Sequence, residues 1–313
     1  MIENLLNARF DELGCQTVCR WNTLQPPYNW DQGWPLALPD VQWNDNTRLV
    51  LHFQDRITAT ETGCAELKHI EQHYADRANQ VIVVFYSHGL NQIYQGPVQL
   101  VEFSTHNWLT VNDLLRVQSQ WQSTIDQPKT QAWQCLNGRI CDHRQRVAQV
   151  LASWPNGTLS LGTQIPLPEW NYGTYRGTEN YDNFVRLSSL YGSTRVNIVT
   201  ETDYVARPGV ISEKTLYAFV AQQIPIIVGH PGAVQDCRDM GFDMLDDLVD
   251  HSYDWLPNEQ RAEVALELNQ GLIQGQVDVS AWQSRINRNR DYVFNGFLQW
   301  MQQQAQNDLS MIF

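Results

Sequence analysis

The chain has 313 residues, 42% apolar and 18% charged, with 34 acidic against 21 basic side chains and a net charge of −13. That acidity excludes nucleic acid as the main partner, because phosphate backbones need cation-rich surface. No apolar run approaches the ~18 residues that span a bilayer, the opening MIENLLNARFDELG lacks the order of a signal peptide, and the six cysteines form no Cys-x-x-Cys pair, so a cytoplasmic protein with reduced thiols is expected.

Residues 20–46, rich in Trp, Pro, Asn and Asp, read as irregular. Residues 47–53 (TRLVLHF) read as a buried strand. Residues 61–79 read as a helix, with Leu67, Ile70 and Tyr74 at helical spacing. A second buried strand (VIVVFY, 81–86) runs into Ser87-His88-Gly89, and 98–103 suggests a third, followed by a helix over 112–124. Residues 126–130 (DQPKT) break the pattern and read as a linker. The alternation then restarts with a strand at 132–136, a helix at 142–153 and buried strands at 196–200 and 224–228 around a helix that starts at Ser212. Helices at 258–272 and 280–306 complete the chain. Unbroken apolar strands alternating with helices predict parallel sheets covered on both faces. The expected division is an N-terminal domain, 1–128, and a C-terminal domain, 129–313. The last helix either crosses back onto the first domain or serves a dimer.

Ser212-Glu213-Lys214 stands where a helix begins. Glu213 suits the positive end of the helix dipole, whereas Lys214 opposes it. An anion held by the free N–H groups and the lysine removes the conflict. Glu201 falls at the end of a buried strand, where ligands of open α/β sheets bind, and its carboxylate can accept hydrogen bonds from ribose or sugar hydroxyls. Asn137-Gly138-Arg139 with His143-Arg144 repeats the strand, glycine turn and helix, and Arg144 offers a forked donor set that matches phosphate.

This order of residues resembles the donor-binding half of α1,3-fucosyltransferases. The likeness runs from the strand with Asn137, through a turn and Arg144, to Glu201-Thr202, a variable loop, Ser212-Glu213-Lys214-Thr215-Leu216 and Ile224-Pro225-Ile226-Ile227-Val228-Gly229. It covers roughly residues 132–230 and does not extend to the N-terminal half. It implies a GT-B fold, two Rossmann-like domains facing across a cleft. It also implies a metal-independent, inverting glycosyltransferase that takes a nucleotide-diphosphate sugar, GDP-sugar favoured, to an acceptor hydroxyl. Arg144 and Lys214 would bind the diphosphate, Glu213 the ribose, and Glu201 would stand near the donor sugar, with Asn137 and Ser212 completing the donor set.

Such transfer needs a general base for the acceptor hydroxyl. Asp55, after the first buried strand, is the first candidate, with Glu61 and His88 beside it. The acidic run at 243–254 spells Asp-Asp-x-x-Asp at 246–250. That string binds magnesium in all-helical terpene synthases, so in an alternating chain it reads as a solvated segment. No Asp-x-Asp, Gly-x-x-x-x-Gly-Lys-[Ser/Thr] or Gly-x-Gly-x-x-Gly motif is present, and no metal is expected. The alternative function is a non-catalytic nucleotide- or sugar-binding protein on the same fold. A third reading is an interaction protein with no nucleotide affinity. Of the twelve tryptophans, most are expected in the core and some as flat walls for a ligand ring.

Overall fold

A computed structural model describes residues 17–22, 38, 40–52, 61–85, 94–167, 180–202, 204–205 and 211–312. The chain is α/β, and among the described residues every strand pair in the two sheets is parallel. It divides into two compact units. Unit 1 is Met1–Trp108, Pro208–Val210 and Gln299–Phe313, and unit 2 is Leu109–Arg207 and Ile211–Leu298. Among the described residues, no helix is long and apolar enough to cross a membrane.

The described strands of unit 1 are β1 (Thr17–Asn22), β2 (Thr47–His52), β3 (Val81–Phe85) and β4 (Gln99–Glu102), lying side by side in chain order. β3 reads VIVVF and all five residues are buried, the pattern of a strand covered on both faces. Helix α1 (Glu61–Tyr74) turns Leu67, Ile70 and Tyr74 into the cluster that holds Leu49, Leu51, Val81 and Val83. A 3-10 turn, Ala75–Gln80, follows it. There Gln80 Nε2 donates to the Asn44 and Asp45 carbonyls, 3.1 Å each, tying the entry of β3 to that of β2. β1 lies partly in the stretch expected to be irregular. Its sequence, TVCRWN, mixes polar and apolar residues and carries no run to mark it.

The helix expected over 112–124 is two, α2 (Thr105–Arg116) and α3 (Gln118–Ile125), separated at Val117. The buried Trp121 indole donates to the Leu114 carbonyl at 2.9 Å, so a side chain of the second helix satisfies an acceptor near the break. Residues 126–130 lie inside unit 2. There Lys129 Nζ donates to the carbonyls of Ala221 (2.6 Å) and Tyr191 (3.2 Å), and burial lowers its pKa to about 8.

Unit 2 continues with β5 (Gln131–Asn137), α4 (Asp142–Leu151), β6 (Gly157–Leu161), α5 (Asn180–Arg186), α6 (Ser188–Ser193), β7 (Thr194–Thr200), α7 (Glu213–Val220), β8 (Ile224–Val228) and α8 (Ala233–Asp239). After these come α9 (Asn258–Leu268), α10 (Gln270–Ile273), α11 (Gln283–Phe294) and α12 (Gly296–Ile312). The strand order is β6-β5-β7-β8. From β5 the chain moves to one side to make β6, then returns past β5 to make β7 and β8. The order therefore reverses between β5 and β7. In unit 1 the described strands follow one another without reversal. A reversal leaves the loops from two neighbouring strands leading to opposite sides, opening a crevice beyond their carboxyl ends.

Candidate functional site at the carboxyl edge of the second sheet

Asn137, the last residue of β5, is buried. Its N–H donates to Ser160 Oγ on β6 at 3.0 Å, and its Oδ1 accepts the Thr200 hydroxyl at the end of β7. One residue, through its main-chain N–H and its side chain, thus ties three strands together at the reversal. Its Nδ2 donates to Cys135 Sγ at 3.2 Å.

The turn after Asn137 leads to Cys141, the N-cap of α4, whose side chain makes no capping bond. In the first turn, His143 and Arg144 both point back to β7. Arg144, 3% exposed, donates from Nη2 to the carbonyls of Thr200 (3.1 Å) and Glu201 (3.4 Å) and from Nη1 to that of Arg139 (3.5 Å). Its Nε is buried without a hydrogen-bond partner. His143 Nε2 lies 3.0 Å from the Glu201 carbonyl. A carbonyl only accepts, so Nε2 carries the proton and Nδ1, 3.6 Å from Cys141 Sγ, is the open acceptor. Burial lowers the His143 pKa to about 4, leaving the ring neutral near pH 7. The ring stacks on Tyr204 at 4.3 Å.

Glu201 extends the ladder of β7, its N–H donating to Val228 O at 3.0 Å. Its carboxylate is buried and accepts from Ser212 N–H (3.2 and 3.3 Å to the two oxygens) and from the Thr215 hydroxyl (2.5 Å). Ser212 caps α7, its Oγ accepting Lys214 N–H at 3.2 Å. Lys214 Nζ donates to Glu213 Oε1 at 2.8 Å, and both side chains remain about one quarter exposed (24% and 25%). The chemical division is plain. Arg144 and Glu201 are turned to main-chain and side-chain groups of the sheet edge, whereas Lys214 and Glu213 pair with each other at the start of α7 and stay partly exposed.

Of the expected acceptor-side residues, Asp55 and His88 lie outside the described residues. Glu61 opens α1, and its side chain is also outside them. The acids of 243–250 are tied to protein groups. Asp243 pairs with Arg285 at 2.7 Å, Asp246 with Arg238 at 2.5 Å, and Asp247 with Arg285 at 2.6 Å and with the Trp282 indole at 3.0 Å. Asp250 accepts from the Ser252 hydroxyl at 2.7 Å. A depression of about 610 Å³ lined by Arg238 and residues 246–252 borders them. With its acids already paired, it is a weaker candidate than the sheet edge. Among the described residues, no group of three or more His, Cys, Asp or Glu side chains is arranged to hold a metal ion.

Arg261 is the residue that reading the sequence missed. It is fully buried in the first turn of α9. Its guanidinium donates to the carbonyls of Gly229 (2.8 Å), Leu256 (2.6 Å) and Tyr204 (2.5 Å) and to Asn258 Oδ1 (2.6 Å), and it lies 4.5 Å over the Tyr204 ring. The segments after β7 and β8 and the entry to α9 are thus gathered on one cation. A signal was present, since a cation in a helix's first turn opposes the dipole, the same anomaly that drew attention to Lys214.

Comparisons of the chain with family models, with curated proteins and with solved structures return no match.

Proposed function

We propose that the chain is a glycosyltransferase of GT-B type that takes a nucleotide-diphosphate sugar. The C-terminal sheet is its donor half and the N-terminal sheet its acceptor half. One observation carries the reading. The reversal of strand order in the second sheet falls between β5 and β7, where Asn137, Arg144, Glu201 and the N-terminus of α7 converge. Ligands of open α/β sheets bind at such a reversal, and a helix N-terminus beside a lysine suits a diphosphate. Lys214 and the positive end of the α7 dipole hold the leaving diphosphate, and stabilising charge that develops there is the main catalytic contribution. Arg144 acts by fixing the end of β7. An anion draws Lys214 away from Glu213, which frees that carboxylate for ribose hydroxyls. Asp55, Glu61 or His88 supplies the base, and transfer proceeds with inversion and without metal.

The test is the melting temperature of the wild type and Lys214→Ala with GDP, UDP, CMP and dTDP. Ligand at ~100 times its dissociation constant stabilises the fold by roughly 2.7 kcal/mol. One nucleotide is expected to raise the wild-type melting temperature and to fail on the variant. No shift with any of the four sinks the donor site.

One observation favours the second reading, a protein that binds nucleotide without transfer. Both Arg144 and Glu201 are consumed by protein contacts, leaving less charge to act on a reacting group. Turnover measured on Asp55→Asn, Glu61→Gln and His88→Gln separates the two. An enzyme loses turnover in at least one of them. A binding protein shows none at the outset.

A further inference from the structure

Six large apolar side chains among the described residues are markedly exposed, and three of them, Ile140, Val205 and Trp255, sit beyond the carboxyl ends of β5, β7 and β8. Trp255 is the largest of the six and is 59% exposed. Its placement is built. A Cβ added at Gly232 would lie 2.6 Å from Cη2 and 2.8 Å from Cζ2 of the indole, so the benzene end of the ring rests on a glycine backbone that has φ of +83°. Both chain neighbours of Trp255 are fixed. On one side, the Asp254 carbonyl accepts Gly232 N–H at 3.1 Å, and its buried carboxylate accepts the N–H groups of Val234 (3.0 Å) and Gln235 (3.1 Å). On the other, the Leu256 carbonyl is held by Arg261. A buried acid and a buried cation therefore hold in place a tryptophan more than half exposed.

A chain of contacts along the sheet edge links this ring to the proposed donor site. Glu201 accepts the N–H that starts α7. A Cβ at Gly229 would meet Glu201 Cβ at 3.2 Å, and three residues further on stands Gly232, under the indole. The path runs along the sheet edge from β7 to β8. We propose that Trp255 is the stacking platform for the base of the bound nucleotide, with Gly232 and Arg261 as its positioning residues. The proposal rests on the donor-site reading above and assigns the part of the ligand that Lys214 does not touch. A base is favoured as the occupant because any base offers a π face to an indole, and such stacking is sequence-tolerant.

The test measures binding of GDP, UDP and inorganic pyrophosphate to the wild type, Trp255→Ala and Trp255→Phe by calorimetry. The expected result is a loss of nucleoside-diphosphate affinity of roughly 5- to 150-fold in Trp255→Ala. Pyrophosphate affinity stays unchanged, and Trp255→Phe recovers part of the loss. Nucleotide binding that Lys214→Ala abolishes and Trp255→Ala leaves intact overturns the stacking role alone. An equal loss of pyrophosphate affinity in Trp255→Ala also overturns it, since the substitution then acts on the fold. If the wild type binds neither nucleotide nor pyrophosphate, the donor-site reading fails and this assignment fails with it.

Discussion

Replacing Arg261 with methionine keeps most of the side-chain volume and removes every hydrogen bond of the guanidinium. Three main-chain carbonyls and Asn258 Oδ1 lose their donor. At a net ~1 kcal/mol per bond, the loss is about 4 kcal/mol. Part is returned, because a buried cation is no longer held out of water, which leaves about 2–4 kcal/mol. In a domain of this size that lowers the melting temperature by roughly 5–15 °C. The assay is thermal unfolding followed by circular dichroism, with Arg288→Met as the control. Arg288 is exposed on α11, and its loss is expected to change stability by no more than about 0.5 kcal/mol. An Arg261→Met melting temperature within 2 °C or so of the control would refute the view that this side chain gathers the loops.

Three further outcomes follow from the same geometry. Glu201→Ala leaves Ser212 N–H and the Thr215 hydroxyl buried without their acceptor and is expected to cost about 1–3 kcal/mol in urea unfolding; Glu201→Gln retains an acceptor and should cost less, and equal costs would contradict the role given to the carboxylate. His143 has a folded pKa of about 4, below its ordinary 6.5, so between those values the unfolded chain binds more protons and stability falls as pH drops. The urea midpoint of the wild type should decline over that window relative to His143→Phe, and parallel profiles would show that the ring is not held neutral. Gly232→Ala forces a side chain onto a φ of +83° and into the Trp255 ring, a cost of order 1–3 kcal/mol from the backbone alone; a melting temperature equal to wild type would mean that the turn is not as constrained as drawn.

The buried strands were legible because runs such as VIVVF and IPIIV have few other places to go. The start of α7 was legible too, since serine followed by an acid is a local signal. What the chain does not spell out is who answers a polar side chain. Lys214 looked like a cation awaiting an anion, yet the adjacent Glu213 already pairs with it. Arg144 looked like a phosphate ligand, yet its two shortest hydrogen bonds go to carbonyls 56 and 57 residues away. Arg261 to Tyr204 also spans 57 residues. Pairings of this separation follow from the order of the sheet, and strand order is not written in local periodicity. β6 escaped notice for a related reason. It is an edge strand, and GTLSL is only partly buried.

The hydrogen bond from Glu102 N–H to Asp308 Oδ2, 2.7 Å long, closes over 206 residues. Both partners belong to unit 1, which draws on the stretch from Gln299 onward as well as on the first 108 residues. A ribosome adding roughly 5–20 residues per second needs about 10–40 s to pass from one partner to the other. During that interval the first sheet is already outside the ribosome with its last helical segment unmade, while all of unit 2 is being synthesised. The order of synthesis thus favours completion of unit 2 before unit 1. Until residues 299–312 arrive, the end of β4 lacks this cap.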